Sequence, residues 1–130
     1  MIKPAMSLVA EAEALIETVT TEQVLELLEE QQTCLVDIRD VRELYREGKI
    51  PGAMHAPRGM LEFWVDPQSP YHKPEFATGQ KFILYCGGGW RSALATRTLQ
   101  EMGLSPIAHM GGGFSAWKEA GYPIEEVARK

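Results

Sequence analysis

The chain has little cysteine. Cys34 and Cys86 are its only two among 130 residues. That is too few for a disulfide scaffold, and neither belongs to a Cys-x-x-Cys pair. The three histidines, His55, His72 and His109, stand apart from one another and from the cysteines. Zinc-ligand spacing is therefore missing, and no metal is expected. There is no surplus of positive charge either. The 13 Lys and Arg against 18 Asp and Glu leave a formal net charge of −5, which offers no basic footprint for nucleic acid. No run is long and apolar enough to span a membrane. Glu11, Glu13 and Glu17 interrupt the N-terminal stretch where a signal peptide needs its apolar core. Internal repeats and low-complexity tracts are absent. These absences predict a soluble cytoplasmic protein with neither nucleic acid nor membrane as a partner.

What is present is ordinary for one globular core. Hydrophobic residues make up 45% of the chain and charged residues 24%. Apolar positions at helical spacing predict a short N-terminal helix over 7–17, read as an extension occupying residues 1–18. Val19 forms at most a very short strand. Thr20 reads as an N-cap, with Gln23 completing a capping box. The helix it opens carries Val24, Leu25, Leu27 and Leu28. Residues 33–38 form a continuous apolar strand of the kind covered on both faces. Cys34 lies inside it as a small buried hydrophobe. Asp37 ends that strand and calls for a cap, a turn or a basic partner. Arg39 and Glu43, four apart, are read as bracing the same corner. A charged helix over 41–47 leads to Pro51-Gly52, a strong turn signal, and to a brief strand at 53–55. His55 is read as a hydrogen-bonded core histidine.

Residues 58–66 predict another short helix. The stretch 67–79, with three prolines, is long for a connection in a compact domain. It either hides a short helix or forms a lid. Arg58, Tyr71, His72 and Lys73 are candidates for contacting an anionic substrate. The last strand covers 106–110. It is followed by a second glycine turn at 111–113 and a helix over 115–120 carrying Trp117. This turn is read as a tight turn with aromatic packing. Strands alternating with helices imply a parallel sheet with helices on both faces.

The chemistry concentrates at Tyr85-Cys86-Gly87-Gly88-Gly89-Trp90-Arg91-Ser92. An apolar strand at 81–85 precedes it, and helical spacing follows through Leu94, Ala95, Thr98, Leu99 and Met102. The grammar is strand, glycine turn, helix. A loop entering a helix N-terminus presents unpaired backbone N–H groups. Glycines let those groups turn inward. The helix dipole and Arg91 both favour an anion, and the nucleophilic form of cysteine is the thiolate. The reading is a nucleophilic Cys86 in an anion cradle at the carboxyl end of a parallel strand, where such sheets bind ligands. A buried cysteine beside a structural turn is the alternative.

Three motifs in order give the chain a resemblance. They are Asp37-Ile38-Arg39 with Gly48-Lys49-Ile50-Pro51-Gly52-Ala53; Cys86-x-x-Gly89-x-Arg91-Ser92; and Gly111-Gly112-Gly113-Phe114, Trp117 and Gly121-Tyr122-Pro123. Together, over residues 19 to 124, they resemble a single-domain rhodanese. The resemblance implies a single rhodanese-like domain over 19–130, with a five-stranded parallel sheet flanked by helices on both faces. It implies sulfur transfer through a Cys86 persulfide from an anionic donor, thiosulfate or polysulfide, to a thiol or cyanide. A protein persulfide as donor or acceptor is also compatible. No metal or organic cofactor is implied. Gly87, Gly88, Gly89, Trp90, Arg91 and Arg58 are expected around the substrate, with Arg91 either binding the donor or bracing the loop. Asp37, Arg39 and Ser92 are expected to support the site. No histidine base is needed if the thiolate is preformed, which agrees with the absence of histidine near the loop in sequence. Lys49 stands where the family often has histidine, and Trp90 is bulky for the loop.

Two rival classes follow from the same residues. Cysteine-dependent phosphatases and arsenate reductases also cradle an oxyanion over a cysteine, but in a Cys-x5-Arg loop, whereas Cys86 to Arg91 is one residue shorter. Phosphate transfer also calls for a leaving-group acid, and none sits in the loop. The second rival is a rhodanese-like binding module without turnover. A papain-like protease needs a positioned histidine. A P-loop needs Gly-Lys-Ser/Thr after its glycines. Neither fits.

Overall fold

The computed structural model describes residues 1–129. Five parallel strands form one sheet: β1 (Glu17–Val19), β2 (Thr33–Asp37), β3 (Met54–His55), β4 (Lys81–Tyr85) and β5 (Ile107–Met110), in spatial order β1-β5-β4-β2-β3. The register sets Asp37 beside Tyr85 and Leu84 beside His109. β4, the most apolar strand, is therefore central, and the loop that leaves it is flanked by the ends of β2 and β5.

Side-chain alternation along β4 shows the two covered faces. Phe82 and Leu84 join one cluster, with Leu61 and Val65 from α4 (Leu61–Val65) and Ala95 and Leu99 from α5 (Trp90–Glu101). Ile83 and Tyr85 join the other, with Val24 from α2 (Thr21–Leu27) and Phe114 and Trp117 from α6 (Gly113–Glu119). The expected five-stranded sheet with helices on both faces is therefore what the chain forms. Trp117 is wholly buried and donates its indole N–H to the Pro123 carbonyl at 2.7 Å. Burying a side chain of that kind contributes about 2–3 kcal/mol. No helix among the described residues is long and apolar enough to cross a membrane.

The N-terminal helix differs from its expected span. α1 covers Ala5–Glu13, opening directly after Pro4, whose extended backbone starts a helix well. The chain then turns, and Glu17 and Thr18 already pair with Ala108 and His109. The boundary drawn after residue 18 thus falls inside β1. Ladder hydrogen bonds to β5 compete with the helical continuation that Ile16 suggests. Val9 and Ala12 are buried against Ala93 of α5.

The capping box at Thr20 and Gln23 forms as expected. A second one, Asp40 with Glu43, opens α3 (Val41–Glu47). The proline-rich stretch contains a 3₁₀ turn at Pro74–Phe76, the short-helix alternative rather than the lid. Phe76 is buried and stacks on Phe82 with ring centroids 5.5 Å apart, which ties the stretch to the core. α6 begins at Gly113, two residues before the expected start. Its first turn is held against the loop after β4 rather than by a side-chain cap.

Candidate active site

Cys86 is the residue after the central strand, and its side chain is buried. The chain reverses through Gly87 and Gly88 and enters α5 at Gly89, which has φ +107°, a conformation open to glycine and strained for any side chain. That turn aims backbone donors at the sulfur. The Gly89 N–H donates to Cys86 Sγ at 3.1 Å and the Ser92 N–H at 3.4 Å, with Ser92 Oγ at 3.5 Å. Cys86, Gly88, Trp90 and Arg91 line a hollow of about 320 Å³ over it. Trp90 stands 63% exposed at its rim. Among the described residues, the N–H groups of Gly88, Trp90 and Arg91 find no protein acceptor. The loop thus surrounds Cys86 with backbone N–H groups, two of them bonded to its sulfur.

The Arg91 guanidinium forms a two-pronged pair with Glu43 of α3, at 2.8 and 3.1 Å. The pair raises the Arg91 pKa, and the Arg91 hydrogen bond holds the Glu43 carboxyl below its ordinary value against the effect of burial. Arg91 thus ties the loop to α3 while also lining the hollow. Arg39 and Glu43, expected to brace one corner, do so through different partners: Arg39 through Asp37 and Glu43 through Arg91. Glu43 thereby reaches across to the cysteine loop.

Asp37 and Arg39 form the corner under the site. Both are fully buried, and Arg39 donates to the Asp37 carboxylate through Nε and Nη2. Nη2 also donates to the Gly48 carbonyl at 2.7 Å, and the guanidinium lies 4.2 Å from the Phe114 ring centroid. The aromatic face suits a cation that water cannot reach. Tyr85 sits beside this pair. Burial, then the Asp37 carboxylate, push its phenol pKa far upward. Its hydroxyl accepts the Ile50 N–H at 3.1 Å.

The other candidates are not among the residues that line the hollow. Arg58 pairs with Glu62 at 2.9 Å and is not among the lining residues. His72 bonds the Trp64 carbonyl, the Lys73 ammonium lies over the Trp64 ring, and Tyr71 is exposed. Their anion-contact role has no geometric support. His55 bonds the Arg39 carbonyl at 2.7 Å, the structural role expected of it. Lys49 donates to the Ala53 carbonyl and faces Glu125. Cys34 pairs in register with Phe82, four residues before Cys86. That is about 13 Å along the strand, beyond disulfide reach. No group of three or more His, Cys, Asp or Glu stands together to hold a metal among the described residues.

Two contributors escaped the sequence reading. The second glycine turn is the loop's buttress. The Phe114 N–H donates to the Cys86 carbonyl at 2.8 Å and the Ser115 N–H to the Gly87 carbonyl at 2.9 Å. A Cβ on Gly113 would sit 2.6 Å from both carbonyl oxygens. The matching glycine count of the two turns was the available signal. The other is His109, buried on β5, whose Nδ1 lies 2.9 Å from Ser92 Oγ. Only strand order brings it to the loop.

A parallel α/β domain with a cysteine in an amide-lined loop at the end of its central strand defines a class of thiol-centred oxyanion or sulfur sites. Within that class, residues 20–120 match the rhodanese-like domain family model, and the chain belongs to that family. A solved protein of unknown function from Rhodopseudomonas palustris, described as a possible tyrosine phosphatase, is 52% identical, with a TM-score of 0.93 over 96% of each chain. Thiosulfate sulfurtransferase GlpE of Pseudoalteromonas translucida is 35% identical over 82% of this chain and 91% of its own. An uncharacterized Synechocystis protein is 32% identical over 82% of this chain, which spans only 54% of that protein.

Proposed function

We propose that the protein is a sulfurtransferase that carries sulfane sulfur on Cys86. One observation carries the reading: Cys86 lines a small hollow, its Sγ receives two backbone N–H groups, and the hollow's other lining residues, Gly88, Trp90 and Arg91, carry N–H groups without a protein acceptor among the described residues. Such a cradle fits one extra sulfur atom bearing a negative charge. The similarity to GlpE, a thiosulfate sulfurtransferase, supports it.

With thiosulfate as donor, the Cys86 thiolate lone pair attacks the outer sulfur. A new S–S bond forms, and the old S–S bond breaks with its electron pair leaving on sulfite. The negative charge now resides on the terminal sulfur of the persulfide, under the loop N–H groups. A thiol or cyanide then attacks that sulfur, and the Cys86 thiolate returns as the leaving group. With cyanide the product is thiocyanate. Arg91, braced by Glu43, keeps the loop in shape while charge moves between the two sulfurs. A polysulfide donor follows the same course with a shorter polysulfide leaving.

The phosphatase description of the R. palustris protein favours a second reading. Against it stand the Cys-x4-Arg spacing and an Arg91 that already gives one N–H from each terminal nitrogen to Glu43. A phosphatase needs those donors for the phosphoryl oxygens.

The deciding experiment is intact-protein mass after incubation with thiosulfate or polysulfide, on wild type and Cys86→Ser. The expected result is a gain of one sulfur on wild type only, removed by cyanide. The cyanide step separates a persulfide from a sulfinic acid of nearly equal mass. No gain with either donor overturns the proposal. Hydrolysis of an aryl phosphate would then establish the phosphatase, and its failure would leave a binding module.

A further inference from the structure

Ser92 Oγ occupies a decision point. With Cys86 as a thiol it accepts the S–H at 3.5 Å and donates to the Gly89 carbonyl oxygen at 3.3 Å, and it lies 2.9 Å from His109 Nδ1; once Cys86 is a thiolate the sulfur becomes an acceptor for the hydroxyl as well. A hydroxyl has one proton and can donate it to only one of the three.

His109 decides which. Its ring is 2% exposed, and its Nε2 has no hydrogen-bond partner. If Nδ1 accepted the Ser92 proton, the neutral ring would carry its own proton on Nε2. That would bury an N–H donor with nothing to receive it, the costlier kind of orphan. If Nδ1 carries the proton, the unpaired atom is only an acceptor lone pair. The ring then donates to Ser92 Oγ, and the Ser92 proton must point away from His109, to the sulfur or to the Gly89 carbonyl. A thiolate outcompetes a neutral carbonyl for that proton.

Burial disfavours the ring's charged form and pushes its pKa down, against the pull of the Cys86 thiolate beyond Ser92 and of the Glu13 carboxylate of α1. Its register neighbours, Thr18 on β1 and Leu84 on β4, are uncharged, as are Ser92 and Thr96 on α5.

We propose that His109 is a positioning residue: its Nδ1–H holds the Ser92 oxygen so that the Ser92 hydroxyl donates to the Cys86 thiolate. The sulfur thus receives a third donor beside the N–H groups of Gly89 and Ser92. When charge moves to the outer atom of a persulfide, the Ser92 proton is free to turn to the Gly89 carbonyl. The inference rests on Cys86 being the reacting thiol, but its test needs no sulfur transfer.

The first arm is long-range proton–nitrogen NMR of the ¹⁵N-labelled wild type at neutral pH. The expected signature is His109 protonated on Nδ1 and bare on Nε2. The opposite tautomer, or an imidazolium, overturns the proposal. The second arm is the rate of Cys86 alkylation by iodoacetamide across pH, read by peptide mass so that Cys34 is counted separately. His109→Leu removes the donor and is expected to slow alkylation about tenfold near neutrality, moving the profile to higher pH. His109→Asn places an amide N–H near the lost Nδ1–H and is expected to recover most of the rate. Equal rates in all three proteins overturn the proposal, as do equal losses in two folded variants. Should His109→Leu fail to fold, the wild-type tautomer still decides. Failure of thiosulfate to load Cys86 would leave both readouts intact, so the two readings fall separately.

Discussion

Two glycine triplets follow two neighbouring strands, and each leads into a helix. Gly87–Gly89 leaves β4 and Gly111–Gly113 leaves β5. Their local grammar is nearly the same, yet their backbones do opposite work. In the first, N–H groups turn inward to the Cys86 sulfur. In the second, N–H groups at the start of α6 turn outward and donate to the carbonyls of Cys86 and Gly87. The carbonyls of Cys86 and Gly87, which open the first loop, need partners of their own, and the second turn supplies them. One glycine triplet surrounds the cysteine and the other holds it in shape.

The sharpest way to break this comparison is Gly113→Ala. The methyl would lie 2.6 Å from two carbonyl oxygens, at φ +60°. The expected loss is about 3 kcal/mol or more in urea unfolding, with sulfur loading of Cys86 strongly reduced. Stability within experimental error of wild type would show that the two turns are independent.

Glu43→Gln probes the other side of the loop. It removes the charge facing Arg91, a pair of which the Glu43 side chain is 19% exposed and the Arg91 side chain 45%. Solvent screening keeps the expected cost to about 1 kcal/mol, while the rate of persulfide formation should fall as the loop loosens. A faster reaction with thiosulfate would instead assign Arg91 to the donor.

Acidification should act in two stages. The His109 pKa is lowered by burial from its ordinary value of 6.5. Below that value the unfolded chain takes up a proton that the folded chain refuses, so stability falls with falling pH until the folded pKa is passed. The slope from this one group is at most about 1.4 kcal/mol per pH unit, and His109→Leu should remove it from melts between pH 7 and 5. The Glu43–Arg91 pair contributes fully above the ordinary carboxyl value of 4.5 and is lost as pH falls through Glu43's lowered one. Glu43→Gln should flatten that lower stage.

Gly88→Ala is the smallest test. A Cβ there meets nothing within 4 Å, and φ is not positive. A stability change under about 1 kcal/mol is expected in the same urea titration. A loss as large as that of Gly113→Ala would erase the distinction between glycines that shape the loop and one that merely lines it.

Much of this was legible in the residues. Apolar runs located β2, β4 and β5, a capping box located the start of α2, and the loop chemistry singled out Cys86. Asp37 at a strand end predicted a partner, and Arg39 is that partner. Other partnerships were not legible. Arg58, Tyr71, His72 and Lys73 were candidates for an anionic substrate; in the fold Arg58 pairs with Glu62, and His72 and Lys73 meet Trp64. The start of β1 was read as helix because Ile16 continues the helical pattern, while the competing ladder partner lies some ninety residues away in β5.

By itself the sequence determined what is local: the alternation of elements, the glycine turns that only certain backbone angles satisfy, and the cysteine at the end of the central strand. Tertiary structure alone decided the partnerships. Glu43 meets Arg91 across 48 positions, and Ser92 meets His109 across 17. The physical reason is that short-range periodicity encodes backbone conformation and buried faces. Which carboxylate reaches an arginine, or which imidazole reaches a hydroxyl, depends on strand order, and strand order is fixed only when the whole sheet assembles around one core.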